Sequence, residues 1–237
     1  MILKISIGIA VFTASLFSAQ VKAITEDGVE VFLLSDKTWR YVNESDAHLL
    51  QNLKVSDTKL VKSVEATFLA KSKNVLAGTY YNPKKWTIAN GDLYGPSVDH
   101  IFIAKGKSGV IGMMSSEASP IPTLESLKDI LVTIVQKRSN FFRLNSSEIR
   151  TVNGEKVLFM DYSANVKGID FVYIGHYLLT DNGFVGLACY TFQKDIEEQR
   201  ALMEDFINGI SIVSADAKTT VVELPPPPVQ VKPKKSK

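Results

Sequence analysis

The sequence holds one cysteine, Cys189, among its 237 residues. A lone cysteine excludes an intramolecular disulfide framework and any cysteine-based zinc cluster. The three histidines, His48, His100 and His176, are scattered and show no His-x-x-x-His or His-Glu pairing, so no metal-ligand spacing is present. There is no Gly-x-Ser-x-Gly elbow and no dinucleotide fingerprint. Gly106-Lys-Ser108 looks like part of a phosphate loop, but Ile101 stands where that loop needs its first glycine, so the stretch reads as a hairpin turn. Past the N-terminus no apolar run approaches the roughly 20 residues of a transmembrane helix. Charge of one sign is scarce as well: the net charge is +2, and residues 218–237 carry five lysines against Glu223. That leaves the remainder slightly acidic, a poor electrostatic match for nucleic acid. No cofactor and no catalytic or metal-binding residue is assigned.

What is present begins with an address. Residues 1–23 place Lys4 before an apolar run from Ile5 to Phe17 and end in small residues, the pattern of a secretory signal. Cleavage is expected after Ala19 or after Ala23; the earlier cut keeps Val21 to Thr25 as a strand, the later one fits the small-x-small rule better. The mature chain is therefore expected in the periplasm or outside the cell. With no cysteine at the junction, a lipoprotein anchor is not expected.

Residues 24–44 read as two short strands around Ser35-Asp-Lys37. Glu26-Asp-Gly28 and Thr38-Trp-Arg-Tyr41 resemble the small SH3-like β module that opens many exported bacterial proteins, with Lys37 in the place of that pattern's glycine. Such a module implies either a docking platform or a lid on the body. Residues 45–73 are polar without a clean apolar stripe and read as a linker with a helical turn or two. Residues 215–237, with Pro225–Pro228, Pro233 and late lysines, read as a solvated tail of partly polyproline character. The partner expected for it is another envelope protein or an anionic envelope polymer.

The body, residues 74–214, is organised around three runs: Val157–Tyr162 after Asn153-Gly154, Phe171–Leu179 after Asn165-Val-Lys-Gly168, and Phe184–Phe192 after Asp181-Asn-Gly183. Each join carries Gly or Asn, residues that tolerate positive φ, so an antiparallel meander is expected. In the middle run Phe171, Tyr173, Tyr177 and Leu179 alternate with Val172, Ile174, His176 and Leu178. Both faces are apolar, which predicts cover on both sides by helices, a β layer or a partner. Upstream, Val75–Tyr81 is β-prone, Asn82-Pro-Lys-Lys-Trp86 reads as a turn presenting a tryptophan, and Val98–Ala104 pairs with Val110–Ser116. Thr123 caps an expected helix to Arg138 with Leu124, Leu127, Leu131, Ile134 and Val135 at helical spacing. Asp195-Ile-Glu-Glu198 reads as a capping box for a second helix that Asn208-Gly209 stops, before a short strand at 210–213.

This order describes an α+β fold, an antiparallel sheet with packed helices. Pro83–Trp86, Val152-Asn-Gly154, Gly168-Ile-Asp-Phe-Val-Tyr173 and Asn208-Gly209 resemble the family typified by the extrinsic photosystem subunit PsbP, and more closely a group of exported bacterial proteins, over residues 77–213. These are turn and core residues, so the resemblance implies a PsbP-like sandwich and an accessory or binding role without a reaction. Cys189 reads as a buried hydrophobe and His176 as a core histidine. Asp161 and Asp170 are carboxylates that can converge from neighbouring strands, but their position near turns makes a solvated role the expectation. Trp86, Tyr80, Tyr81, Tyr94 and the meander tyrosines line a ligand groove or pack the sheet. Asn43-Glu-Ser45 and Asn145-Ser-Ser147 fit a glycosylation pattern. The expected function is a non-enzymatic accessory or binding protein of the bacterial envelope; the alternative is a hydrolase-like enzyme whose site is not visible as a motif.

Overall fold

The computed structural model describes residues 21–220 except 26–27, 36, 44–52, 92–93 and 108. The signal segment to Gln20, His48 and the tail from 221 lie outside the described residues. Three short strands open the chain, β1 (Val21–Ile24), β2 (Glu30–Leu33) and β3 (Trp39–Tyr41), pairing antiparallel in that order. Strand β1, expected over Val21 to Thr25 for the earlier of the two cuts, pairs with β2 from Val21↔Leu33 to Ile24↔Glu30. Lys37 takes φ 68°, the left-handed conformation that a glycine would adopt at no steric cost.

The stretch expected as a linker contains β4 (Lys54–Leu60) and β5 (Phe68–Lys71). Strand β4 escapes a periodicity reading because it is an edge strand, exposed along most of its length, whose paired residues lie 92 to 94 positions away. There follow β6 (Ala77–Tyr81), β7 (Trp86–Asn90), β8 (Val98–Ala104), β9 (Ile111–Glu117), α1 (Leu124–Arg138), β10 (Phe141–Val152), β11 (Glu155–Val166), β12 (Ile169–Thr180), β13 (Gly183–Phe192), α2 (Ile196–Ile207) and β14 (Ile210–Ile212). An eight-stranded sheet runs β4-β10-β11-β12-β13-β9-β8-β7, antiparallel except for the parallel β4–β10 pair. A second sheet, β14-β6-β5, is separate from it, so the final strand returns to this smaller layer.

The meander forms as expected, with Asn153 (φ 50°), Gly154 (φ 91°), Lys167 (φ 53°) and Gly168 (φ 84°) taking the positive angles of its first two turns. The third turn corrects the expectation. Asp181 and Asn182 link Thr180 to Gly183 without any positive φ, and Gly183 is needed because a Cβ there would stand 2.0 Å from the Glu117 carbonyl oxygen.

Two apolar clusters lie on opposite faces of the large sheet. Val172, Ile174 and Leu178 pack with Met203, Phe206 and Ile207 of α2 and with Ala70, Ala77 and Tyr81 of the small sheet. Tyr177, Tyr162, Leu158 and Met160 pack with Leu124, Leu127 and Val132 of α1. Cover by packed helices alone therefore overstates their share, because a β layer does much of the work on one face. Thr123 caps α1 by accepting from Ser126 N at 3.1 Å. Asp195 does not cap α2: a 3₁₀ turn at Gln193–Asp195 feeds straight into the helix and holds Asp195 in helical backbone, where no side-chain cap bond forms.

Candidate functional site

His176 and Cys189 are sealed in the core, each 0% exposed. His176 Nδ1 faces the Ile207 carbonyl at 3.1 Å, a contact the ring makes by donating, and Nε2 has no partner. Burial lowers its pKa to about 4, so the ring is neutral at ordinary pH. Burial pushes the Cys189 thiol up, away from the thiolate a nucleophile requires. Among the described residues no carboxylate is hydrogen-bonded to the His176 ring. His100 Nε2 contacts the Lys71 carbonyl at 3.0 Å.

Asp161 and Asp170 do not converge. Asp170 is exposed and accepts from Asn165 Nδ2 at 2.6 Å, as a solvated turn residue can. Asp161 departs from its expected solvated role: it is buried and accepts from Arg200 Nη1 at 2.9 Å and Asn145 Nδ2 at 2.9 Å. Asn145 occupies the register shift between Leu144 and Ser146, so a bulge in β10 brings its amide to Asp161. That amide also reaches Ser163 Oγ at 3.1 Å, which removes Asn145 from the accessible acceptor sites expected from its sequence pattern. No motif marks this knot, because it joins a bulge, a strand and a helix.

Trp86 and Tyr81 are each 2% exposed, so neither is presented by a turn or lines a groove. Trp86 packs on Phe206 with ring centroids 4.3 Å apart and tilted by 37°, filling the space between β7 and α2. Tyr94 remains exposed, and the meander aromatics do form an accessible surface.

That surface follows from the register. Tyr162, Tyr173, Tyr190, Ile111 and Ile103 are successive cross-strand partners over β11, β12, β13, β9 and β8. The neighbouring row runs Phe142, Ala164, Phe171, Phe192. Helix α1 covers the first end, burying Tyr162, while Phe171, Tyr173, Tyr190, Phe192 and Ile111 are half-buried and Ile103 is exposed. The rings form a continuous array: Tyr162 stacks on Tyr173 at 4.9 Å, Tyr173 meets Tyr190 at 5.1 Å, and Phe171 stacks on Phe192 at 5.4 Å. Gly109, with φ 79°, makes room for the Phe192 ring, since a Cβ there would lie 2.6 Å from it. Burial raises the Tyr173 pKa to about 12 and raises that of Tyr190, with Tyr94 and Cys189 adding to the latter. The hydroxyls are therefore neutral, and the array offers flat apolar faces rimmed by uncharged hydrogen-bonding groups.

A second depression, about 190 Å³, lies between β4, β10 and α2 and is lined by Ser56, Thr58, Glu148, Arg150, Glu204 and Asn208, with Leu60. Its charges are already engaged: Arg150 Nε donates to Glu148 at 2.6 Å while its guanidinium sits 3.4 Å above the Phe159 ring, and Glu204 faces Arg200 at 3.7 Å. Among the described residues no group of three or more His, Cys, Asp or Glu could hold a metal ion, and no helix is long and apolar enough to cross a membrane.

No protein-family model and no curated protein matches the chain. Among solved structures it is similar to the cyanobacterial PsbP of Synechocystis sp. PCC 6803, with TM-score 0.46 and 14% identity over 62% of this chain and 93% of that one. It is also similar to a protein of unknown function from Pseudomonas aeruginosa, with TM-score 0.42 and 12% identity over 67% of this chain and 97% of that one.

Proposed function

We propose that this chain is an exported, non-enzymatic accessory or binding protein of the bacterial cell envelope, built on a PsbP-like sandwich, and that the Phe171–Tyr173–Tyr190–Phe192 array is its binding surface. One observation carries the reading: a half-buried aromatic platform lies open on the sheet, whereas His176 and Cys189 are sealed where no substrate reaches them. A soluble β protein that left this face to water would be expected to place polar residues there. The three-stranded N-terminal sheet acts as an SH3-like lid over the start of β10 and the end of α1, since Gly28 lies against the Phe142 ring, Arg143 pairs with Glu30 at 3.2 Å and Gln136 donates to the Thr25 carbonyl at 3.1 Å. Signal cleavage after Ala19 keeps β1 whole, and we assign the cut there; the lysines of the tail add attraction to an anionic envelope polymer.

Cosedimentation of the exported full-length chain with envelope fractions tests the binding role. The Tyr173→Ala, Tyr190→Ala double variant should lose that association while remaining folded by circular dichroism. Retention of the double variant on the envelope, or hydrolysis of an ester or peptide panel that disappears in His176→Leu, would overturn the reading.

A further inference from the structure

The depression between β4, β10 and α2 owes its shape to a break in strand pairing. Val55 is opposite Ile149 and Lys59 is opposite Thr151, so four steps along β4 answer two along β10, and the surplus residues bow out across from Arg150. Bulges of this kind re-aim side chains and recur beside binding sites. Here Ser56 and Thr58 from the bow, Glu148 and Arg150 from β10, and Glu204 and Asn208 from the end of α2 line the hollow. At about 190 Å³ it is smaller than the roughly 300–1,000 Å³ of pockets that bury drug-sized molecules, which leaves room for a ligand the size of a small amino acid. We propose that this hollow, independently of the aromatic platform, binds a free α-amino acid as its zwitterion, with the carboxylate on Arg150 and the ammonium on Glu204.

Arg150 is held in place without being used up. Its guanidinium lies 3.4 Å above the Phe159 ring and its Nε donates to Glu148 at 2.6 Å, which fixes the plane of the fork, while its terminal nitrogens make no hydrogen bond to any described residue. With its side chain 21% exposed, the fork is reachable yet partly shielded from water, and it presents two parallel N–H donors that match a carboxylate. Glu204 supplies the opposite charge. Its 3.7 Å separation from Arg200 is too long for a hydrogen bond and its side chain is 45% exposed, so its carboxylate is able to accept from an ammonium. The charges together select the ligand. A simple anion on Arg150 meets Glu148 and Glu204, and a simple cation on Glu204 meets Arg150 and Arg200, whereas a molecule with both charges a few bonds apart pairs each with its opposite. Ser56 Oγ accepts from Thr58 N at 3.3 Å and keeps its proton to donate. Asn208 is positioned by its backbone, whose N–H donates to the Glu204 carbonyl at 3.2 Å and whose carbonyl accepts from Asn153 Nδ2 at 2.8 Å, which leaves its carboxamide for the ligand.

Isothermal titration calorimetry on the exported full-length chain with glycine, L-alanine and L-serine reads this directly. Saturable binding is expected for at least one of them, while acetate and methylamine, which carry a single charge each, should bind at least about tenfold more weakly. That comparison needs no variant to fold. Glu204→Gln and Arg150→Lys should each raise the dissociation constant of the bound amino acid at least about tenfold with an unchanged circular dichroism spectrum; the lysine keeps the positive charge and loses the fork. In NMR titrations the amides of Ser56, Thr58 and Asn208 should shift with the same saturation curve. Absence of saturable binding by all of these amino acids at millimolar concentration overturns the proposal, as does acetate or methylamine binding as tightly as the amino acid. Binding that survives intact in both folded variants, or that shifts amides elsewhere and leaves these in place, overturns the assignment to this hollow.

Discussion

Asn153 is the residue whose loss the structure prices most clearly. Its Oδ1 accepts from Lys62 N at 2.8 Å, and its Nδ2 donates to the carbonyls of Asn208 and Ile210, both at 2.8 Å. One half-buried amide thus ties the exit of β4, the β10–β11 turn and the end of α2 together. Substitution by alanine removes three hydrogen bonds and leaves their backbone partners short of a mate, about 1 kcal/mol each and so about 3 kcal/mol in all. Alanine must also hold φ near 50°, adding roughly 1–2 kcal/mol, a penalty that glycine avoids. For about 200 ordered residues, 1 kcal/mol moves Tm by roughly 2–4 °C. Asn153→Gly should therefore melt about 6–12 °C below wild type in scanning calorimetry, and Asn153→Ala a few degrees lower again. Hydrogen exchange at the Lys62 amide should accelerate in both variants, which separates loss of this staple from a general loosening. If Asn153→Gly melts with wild type, or if the Lys62 amide keeps its protection, the staple is not what joins these three segments.

Burial of His176 makes stability fall with acid: the unfolded ring binds its proton near pH 6.5 and the folded ring only near 4, so roughly 3 kcal/mol present above pH 6.5 is lost as pH falls to 4. In urea titrations His176→Leu should lack this part of the slope, and an identical slope in both proteins would refute it. Gly109→Ala places a methyl at positive φ against the Phe192 ring and should destabilise by about 2 kcal/mol, with shifted ring resonances of Phe192 and Phe171 in NMR; unshifted resonances would count against the packing described. Ending the chain after Thr220 should leave Tm unchanged, whereas ending it after Ser214 should lower Tm by a few degrees. The second cut removes the Thr220–Leu69 bond, the Lys71 N–H to Thr219 Oγ1 bond at 3.3 Å and the Lys71 Nζ to Ala215 carbonyl bond at 2.9 Å.

These last contacts also move the start of the tail, which composition placed at 215. Residues 215–220 carry too little apolar surface to announce a packed segment, yet they lie against the outer edge of β5 and satisfy backbone groups that edge would otherwise leave open. The meander was legible because Asn-Gly and Lys-Gly turns encode their angles locally and the strands between them alternate. Strand β4 was not, since Lys54-Val-Ser-Asp-Thr-Lys-Leu60 becomes a strand only by pairing with β10. The same limit hid the Asp161–Arg200–Asn145 knot. Side-chain identity was visible at each of its positions, but the bulge that turns Asn145 toward Asp161 is a tertiary event.

The open platform has a geometric cause. Eight strands at about 4.8 Å spacing span nearly 40 Å, while a helix with its side chains is about 10–12 Å across and covers two or three strands. On the His176 face, α2 and the three-stranded sheet share the task and the apolar row is closed. On the opposite face α1 lies over β10 and β11, and among the described residues no second layer reaches Phe171, Tyr190 and Phe192. A polar row across β12, β13 and β9 would have resolved the mismatch at no structural cost, because an antiparallel sheet tolerates one wet face. Instead Gly109, at φ 79° in the turn between β8 and β9, leaves to the Phe192 ring space that a Cβ would occupy, and Tyr173 and Tyr190 continue the buried stack of Tyr162 outward in register. Under the binding role proposed above, these half-exposed rings, held in register with the buried Tyr162, are the preformed surface that a flat apolar partner needs.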